Sequence, residues 1–273
     1  MTAYEHARQG LPIKDFLIID EHAHMGFSAG NYALNGTPQG LVDEMDNLGI
    51  DIACISHLGA LSADYRLGND RVLEAMEAFP GRYVGYCTIN PLYEDDIENE
   101  LERCFARGML GVKLHPWCHN RFLSYEPYER TFAFAAKRHS FVLIHTYNEP
   151  DVTTIDKFAP LYPDAAFIMG HSGGEMPAIE KAVRVIKRHD NVFGDFAVSE
   201  SMEGLVEWYV RTVGSKKMLF GTDMPSMEGR GNFCRLAMAE IGEDEKRDIF
   251  GLNMKRIIDR VIAYQFSSKK RLK

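Results

Sequence analysis

The sequence predicts an α/β protein of the (β/α)8 TIM barrel class, folded as a single domain over residues 1–273. Eight short, apolar, β-rich runs recur along the chain, and segments with helical spacing lie between them. Their number and the chain length agree with this barrel, which typically needs roughly 250 residues. A Gly-rich turn of the G-x-G-x-x-G type does not follow the first run, and this disfavours a dinucleotide-binding open sheet.

The predicted strands begin near residues 16, 51, 82, 110, 140, 165, 191 and 217. They read, in order, FLIIDEH, DIACISH, RYVGYCTI, LGVKLHP, FVLIHTY, AAFIMGH, NVFGDFA and KMLFGTD. Most are continuously apolar rather than alternating, which is typical of parallel strands that helices cover on one face and that pack on the other.

The predicted helices have apolar residues at three- and four-residue spacing. They are LVDEMDNLG, NDRVLEAMEAF, DDIENELERCFARG, YERTFAFAAKR, MPAIEKAVRVIKRH and MEGLVEWYVRTVG. Asn69 is predicted to be an N-cap, and Gly49, Gly108 and Gly214 are predicted to end helices. The barrel is therefore expected over about residues 14–266, followed by a short basic C-terminal tail.

Composition favours a cytoplasmic protein that acts on small molecules. The first ten residues lack the apolar core of a signal peptide, and a run of ~20 apolar residues that would span a membrane is missing. The five cysteines lack the spacing of a zinc cluster or a disulfide framework. A formal charge of −8 without a basic stripe disfavours nucleic acid as a partner.

Histidines concentrate where the predicted strands end, which is where catalytic residues of this barrel lie. Of ten histidines, six hold such positions: His22, His24, His57, His115, His145 and His171. Asp223 ends the eighth strand, and barrel closure places the eighth strand beside the first. Asp223 is therefore expected to be a neighbour of His24.

These residues predict a metal site at the barrel mouth. Side chains two apart on a strand share a face, so His22 and His24 can bind one ion. With His145 and Asp223 they form a nitrogen and oxygen set suited to a divalent transition metal, and zinc is the expected ion. The alternative, a pair of half-buried histidines satisfied by backbone, explains the H-x-H motif alone but not the other strand-end residues.

The ordered motifs IIDEHAHMG, GVKLHP, VLIHTY, MGHSGG, FGTDMP and IFGLNMKRII resemble the amidohydrolase superfamily over most of the chain. They are most similar to the amidohydrolase-related branch, which also holds aminocarboxymuconate semialdehyde decarboxylase. The resemblance implies that His22, His24 and His145 are metal ligands. It implies that His171 binds a second metal or acts as an acid or base, and that Asp223 touches metal and shuttles a proton.

Lys113 leaves two interpretations open. In binuclear members of the superfamily a carboxylated lysine on the fourth strand bridges two metals, so one or two ions are expected. Alternatively Lys113 pairs with Asp20 inside the barrel, because an unpaired buried ammonium is costly. The second interpretation is favoured, since a bridge would have to reach the metal from below His115.

Several residues are candidates for binding substrate. His115 and His57 end strands, Trp117 lies in the loop WCHNRFLSYEP, and Arg230 follows Asp223 in a loop where it can meet a substrate carboxylate. Structural roles compete for each of them. Asp195, on the seventh strand, is expected to bind a ligand imidazole or to satisfy buried backbone.

The preferred function is metal-dependent hydrolysis of a small, cyclic or carboxylated substrate. The metal would lower the pKa of bound water while Asp223 moves its proton to the leaving group. The alternative is non-oxidative decarboxylation of an aromatic or unsaturated acid, with His171 or Asp223 protonating carbon. A non-catalytic binding module is the weakest candidate, because every position of the set holds a coordinating residue type. Barrels of this kind often pair, which leaves a homodimer open.

Overall fold

A computed structural model describes residues 1–27, 33–62, 64–197 and 202–271, with side chains up to residue 267. Eight parallel strands follow chain order around one sheet. They are β1 Ile19–Met25, β2 Ile52–His57, β3 Tyr83–Thr88, β4 Gly111–Leu114, β5 Phe141–His145, β6 Ala166–Gly170, β7 Val192–Asp195 and β8 Met218–Leu219. The predicted (β/α)8 barrel is confirmed. Residues 28–32 of the loop after β1 lie outside the described residues.

Helices alternate with the strands and cover the barrel. They are α1 Ala3–Arg8, α2 Pro38–Leu48, α3 Tyr65–Ala78, α4 Ile97–Ala106, α5 Pro127–Lys137, α6 Glu149–Phe158, α7 Ala178–Arg188, α8 Leu205–Val213, α9 Gly229–Met238, α10 Glu243–Arg247 and α11 Asn253–Arg271. The helix α11 continues through most of the predicted tail. Among the described residues, no helix is both long and apolar enough to cross a membrane.

Backbone hydrogen bonds join β1 to the segment after β8 and close the barrel. The Glu21 N–H donates to the Phe220 carbonyl at 2.9 Å, and the Asp223 N–H donates to the His22 carbonyl at 2.7 Å. Inside the barrel, an apolar layer that includes Tyr86 and Phe141 is covered from below by α11. The larger apolar core lies between the strands and the outer helices.

A bulge in β1 changes which of its residues face inward. Asp20 is opposite Ala53 and Ala23 is opposite Ile55. Between these two pairs β1 therefore advances by three residues while β2 advances by two. As a result the consecutive residues Glu21 and His22 both point into the barrel. Simple alternation along β1 places an inward carboxylate at Asp20 instead, and this sequence-based expectation is wrong.

Candidate metal centre and active site

Three predicted ligands, two from β1 and one from the segment after β8, meet at the barrel mouth. The strand β8 ends at Leu219, so Asp223 lies four residues beyond it and not at its end as predicted. The His24 Nε2 atom lies 3.0 Å from Asp223 Oδ1, and His22 Nε2 lies 3.8 Å from the same oxygen. One ligand atom from each residue falls within 4.8 Å of the other two. Two imidazole nitrogens and a carboxylate oxygen at this spacing fit a divalent metal with N and O ligands.

The hydrogen bonds of His22 turn its Nε2 lone pair towards the mouth. Its Nδ1–H donates to Asp195 Oδ2 at 2.7 Å, and the Lys113 ammonium donates to Nε2 at 2.7 Å. Burial is the main factor that lowers the pKa of His22, so the ring is neutral. A carboxylate behind Nδ1 is the usual device that orients a metal-binding histidine. Asp195 bonds the His22 imidazole and also the backbone N–H of His171, so both alternatives predicted for Asp195 occur together. That His22 binds a metal stays a prediction.

His24 and Asp223 have complementary protonation states. The His24 ring is held by Ser56, whose Oγ lies 2.8 Å from Nδ1, and burial lowers the pKa of His24. Although burial raises the pKa of Asp223, the hydrogen bond to His24 and the nearby His22 and His171 hold it below its usual range. Asp223 is therefore an ionised carboxylate, ready to bind a cation or accept a proton.

His171 and His145 lie next to the set of His22, His24 and Asp223 but are not part of it. The His171 Nδ1–H donates to the Ala197 carbonyl at 2.6 Å, so its Nε2 accepts from His145 Nδ1 at 3.0 Å. The buried His145 Nε2 atom then has no hydrogen-bond partner among the described residues. Such an orphaned acceptor suits a metal or a substrate proton, and the role of His145 as a ligand stays a prediction.

An aromatic-walled cavity of about 230 Å³ opens beside His145. The His145 ring is stacked between His115 and Tyr147, at 3.9 Å and 5.0 Å between ring centroids and 17° between planes in both cases. Trp117, with 74% of its surface exposed, reaches to 6.3 Å from the same ring. Trp117 thus lines the cavity, and His115 lies behind His145, on which it stacks. Substrate binding by His115 and Trp117 stays a prediction.

Lys113 does not pair with Asp20. The Asp20 carboxylate accepts hydrogen bonds from the N–H and hydroxyl of Thr222 and from the His22 N–H. The reason is the β1 bulge, which directs Asp20 towards the closing segment after β8. The inward carboxyl is Glu21, whose Oε2 accepts from the Tyr86 hydroxyl at 3.1 Å. A carboxylated Lys113 that bridges two metals stays a prediction.

Two other candidates for substrate binding lie apart from the cluster. The His57 ring packs on Gly26, where a Cβ atom would come 2.1 Å from Nε2, and its Nδ1 accepts from the Gly59 N–H. It therefore supports the start of the loop after β1. Arg230, on α9, is two-thirds exposed and ion-paired with Glu228 and Glu44. A guanidinium already paired with two carboxylates is poorly suited to the predicted substrate role.

Backbone strain coincides with the two predicted proton-transfer residues. His171 has φ 65° and Asp223 has φ 58°, in the left-handed region that non-glycine residues adopt at a cost of about 1–3 kcal/mol. The Asp195 Oδ1 atom accepts from the His171 N–H at 2.7 Å, and the His22 carbonyl holds the Asp223 N–H. These bonds fix both side chains at the mouth.

Sequence reasoning missed three contributors to the centre. Glu21, Ser56 and Tyr147 each follow or precede a predicted site residue, but no motif distinguished them. Burial raises the pKa of Glu21, and the adjacent Asp195 raises it further. For Glu21, the sequence signal is its place directly before His22 in DEHAH. This signal indicates an inward carboxyl only if β1 contains a bulge.

Comparison with known proteins gives a family match and several similar folds. A family model described as Amidohydrolase matches residues 19–260. No curated protein matches the chain. The solved structures below are all under 25% identical to the chain and therefore support the fold alone.

Three solved structures illustrate the similarity. A 2,6-dihydroxybenzoate decarboxylase from Rhizobium has a TM-score of 0.70 at 15% identity, covering 89% of this chain and 98% of that chain. A 5-carboxyvanillate decarboxylase from Novosphingobium aromaticivorans, complexed with manganese and 4-hydroxy-3-methoxy-5-nitrobenzoic acid, scores 0.68 at 14% identity, covering 90% and 97%. A 4-oxalomesaconate hydratase from Rhodopseudomonas palustris scores 0.68 at 16% identity, covering 94% and 100%.

The family match begins at the first residue of β1 and ends within α11, so it includes every barrel strand and every residue of the candidate centre. The resemblance that the strand-end motifs indicated is thereby confirmed. The chain belongs to the amidohydrolase family and is an enzyme of the amidohydrolase superfamily.

Proposed function

We propose that the chain is a metal-dependent decarboxylase of a planar aromatic or unsaturated carboxylic acid. The observation that carries the proposal is the compact set His22, His24 and Asp223 opening beside an aromatic-walled cavity. Two of the similar structures are named as decarboxylases of aromatic acids, which supports this reaction over the hydrolysis preferred from sequence.

In this proposal His22 Nε2, His24 Nε2 and Asp223 hold one divalent ion, with His145 as a further ligand. When bound, such an ion polarises a substrate oxygen and anchors the reacting carboxylate. Its identity is proposed to be manganese or zinc: the ligand types suit zinc, and one similar decarboxylase is complexed with manganese.

The protein supplies the proton that decarboxylation requires. As the bond between carbon and the carboxylate breaks, its electron pair stays on the substrate carbon, carbon dioxide leaves, and a proton must reach that carbon. Asp223, ionised at rest, takes a proton from the substrate hydroxyl or from solvent and delivers it. His171, whose Nε2 faces His145, is the second candidate for this transfer.

Hydrolysis is the second candidate function, because the ionised Asp223 that serves decarboxylation is equally suited to it. A carboxylate with a low pKa next to a metal set can accept a proton from water as well as from a substrate hydroxyl. The two reactions therefore differ in substrate and product rather than in the residues that the chain presents.

We expect the protein loaded with Mn²⁺ or Zn²⁺ to hold about one ion per chain and to release carbon dioxide from one or more hydroxylated benzoates. Elemental analysis and a carbon dioxide assay measure the two results, with chelator-treated protein as the inactive control. A panel of esters, lactones and cyclic amides tests hydrolysis in parallel. Metal content below about a tenth of an ion per chain after reconstitution would contradict the metal site. Turnover of the hydrolytic panel alone would replace decarboxylation by hydrolysis.

Metal affinity should fall as the pH drops below about 8, and Lys113→Met should remove this dependence. Burial lowers the pKa of Lys113 to about 8. The ammonium present below that pH occupies the His22 Nε2 lone pair, so one competing proton changes affinity about tenfold per pH unit. Above about 8 the neutral amine no longer competes as a cation.

Chelator competition between pH 6.5 and 9 measures this effect. The lower limit is about the usual pKa of histidine, and the upper limit is about one unit above the pKa of Lys113. The matched control is Lys246→Met, which changes another buried lysine, bonded to the Ala237 carbonyl away from the mouth. Loss of bound metal from Lys113→Met at every pH would instead support a carboxylated lysine ligand.

A further inference from the structure

The aromatic cavity beside His145 contains a cation that the metal centre does not use. Its lining joins the loop after β4, with Trp117, Arg121 and Phe122, to the start of α6, with Asn148. Because His145 also lines this cavity, the cavity is continuous with the mouth of the barrel. A ligand held at the metal set can therefore extend into it.

The cavity suits a small, flat molecule. Its volume of about 230 Å³ is below the ~300–1,000 Å³ typical of pockets for drug-sized ligands, so it fits one ring and its substituents. The rings of Trp117 and Phe122 are 74% and 63% exposed, although aromatic side chains usually bury their surface. Exposed aromatic rings at a cavity mouth are typical of a ligand-binding surface.

Within the part of the chain that the structure describes, no carboxylate pairs with the positive charge of Arg121. Among the residues that the structure describes, its guanidinium donates to the Asn120 carbonyl at 2.9 Å and lies over the Tyr125 ring. The carboxylate of Asp151, which also lines the cavity, accepts from the Leu123 N–H at 2.9 Å and from Asn148 Nδ2 at 2.7 Å. The acidic group nearby is thus already satisfied, whereas the guanidinium keeps donors available for an anion.

We propose that Arg121 binds a second carboxylate of the substrate, on the side of the ring away from the carboxylate at the metal set. The substrate is then a planar acid with two carboxylates, bound in the cavity that Trp117, His145 and Tyr147 line. This inference rests on the proposed decarboxylase function. It assigns to Arg121 the role that the sequence predicted for Arg230, which is ion-paired with Glu228 and Glu44.

The test compares benzoate with isophthalate, which adds one carboxylate to the same ring, by calorimetric titration of the metal-loaded protein. Wild type should bind isophthalate about tenfold to a hundredfold more tightly, the usual effect of a hydrogen bond to a charged group. Arg121→Gln should abolish this preference, and Arg121→Lys, which keeps the charge but not the planar fork, should retain part of it. Arg230→Gln should leave it unchanged.

The proposal is overturned if wild type shows no preference for isophthalate, or if the preference survives in Arg121→Gln. A preference lost in Arg230→Gln but kept in Arg121→Gln would restore the sequence-based assignment. Because binding is measured rather than turnover, failure of the decarboxylase proposal leaves this result intact. Conversely, carbon dioxide release that is equal in wild type and Arg121→Gln for every diacid supports the reaction and removes Arg121 from recognition.

Discussion

Asp223→Asn is expected to lower turnover by about 10²- to 10⁴-fold while most of the metal and the fold are retained. The asparagine oxygen can still approach the metal set, and the imidazoles of His22, His24 and His145 remain. What is lost is the ionised carboxylate that accepts and delivers a proton. Activity and metal occupancy should therefore separate.

Elemental analysis, circular dichroism and the rate with the best substrate found by screening together test this prediction. His171→Asn is the matched comparison, because it changes the other candidate for proton transfer at the same mouth. Near wild-type turnover by Asp223→Asn would show that Asp223 is not the proton carrier. A large loss in His171→Asn alone would then assign the transfer to His171.

The sequence was sufficient to predict the barrel because strand order and strand ends are strongly encoded. All eight predicted strand positions are occupied by strands, and Gly49 and Gly214 end helices with φ 80° and 85° as predicted. Continuous apolar runs identify buried parallel strands with little interference from the loops.

The errors in the helices have local causes. Asn69 is not an N-cap: α3 begins earlier with Asp64 as its cap, and Asn69 is buried, where it donates to the Thr88 carbonyl and to Glu100. The helix α6 was absent from the predicted set because its first turn, NEPD, reads as a polar loop. Its capping by Asn148 and its early proline are nevertheless ordinary helix-start signals.

For the candidate metal centre, the sequence predicts which strand ends contribute residues, but not which groups lie behind those residues. The pair His22 and His24 and their partner Asp223 follow from strand parity and barrel closure. The identity of the groups behind them does not, because one inserted residue in β1 exchanges Asp20 for Glu21 as the inward carboxyl. Likewise, the ion pairs of Arg230 depend on where Glu44 lies in space, which no local pattern encodes.

Asp195→Asn is expected to weaken metal binding by about 10- to 100-fold, the usual cost of changing a residue that orients a metal-binding histidine. Both carboxylate oxygens of Asp195 accept hydrogen bonds: Oδ2 from His22 Nδ1–H, and Oδ1 from the His171 N–H at 2.7 Å. An asparagine amide offers one oxygen and one NH₂ group, so one of these donors must face another donor.

Either orientation of the amide damages the centre. If the NH₂ group faces His22, the imidazole is forced to accept at Nδ1, and its proton moves to Nε2, the atom that should bind metal. If it faces His171, the bond that holds the strained backbone at φ 65° is lost. Ser56→Ala is the matched control, because losing the hydroxyl beside His24 Nδ1 removes a hydrogen bond without imposing a tautomer. Chelator competition measures the affinities, and nitrogen NMR of the His22 ring reports the tautomer. An Asp195→Asn protein that binds metal as tightly as wild type and keeps the proton on Nδ1 would show that Asp195 does not orient His22.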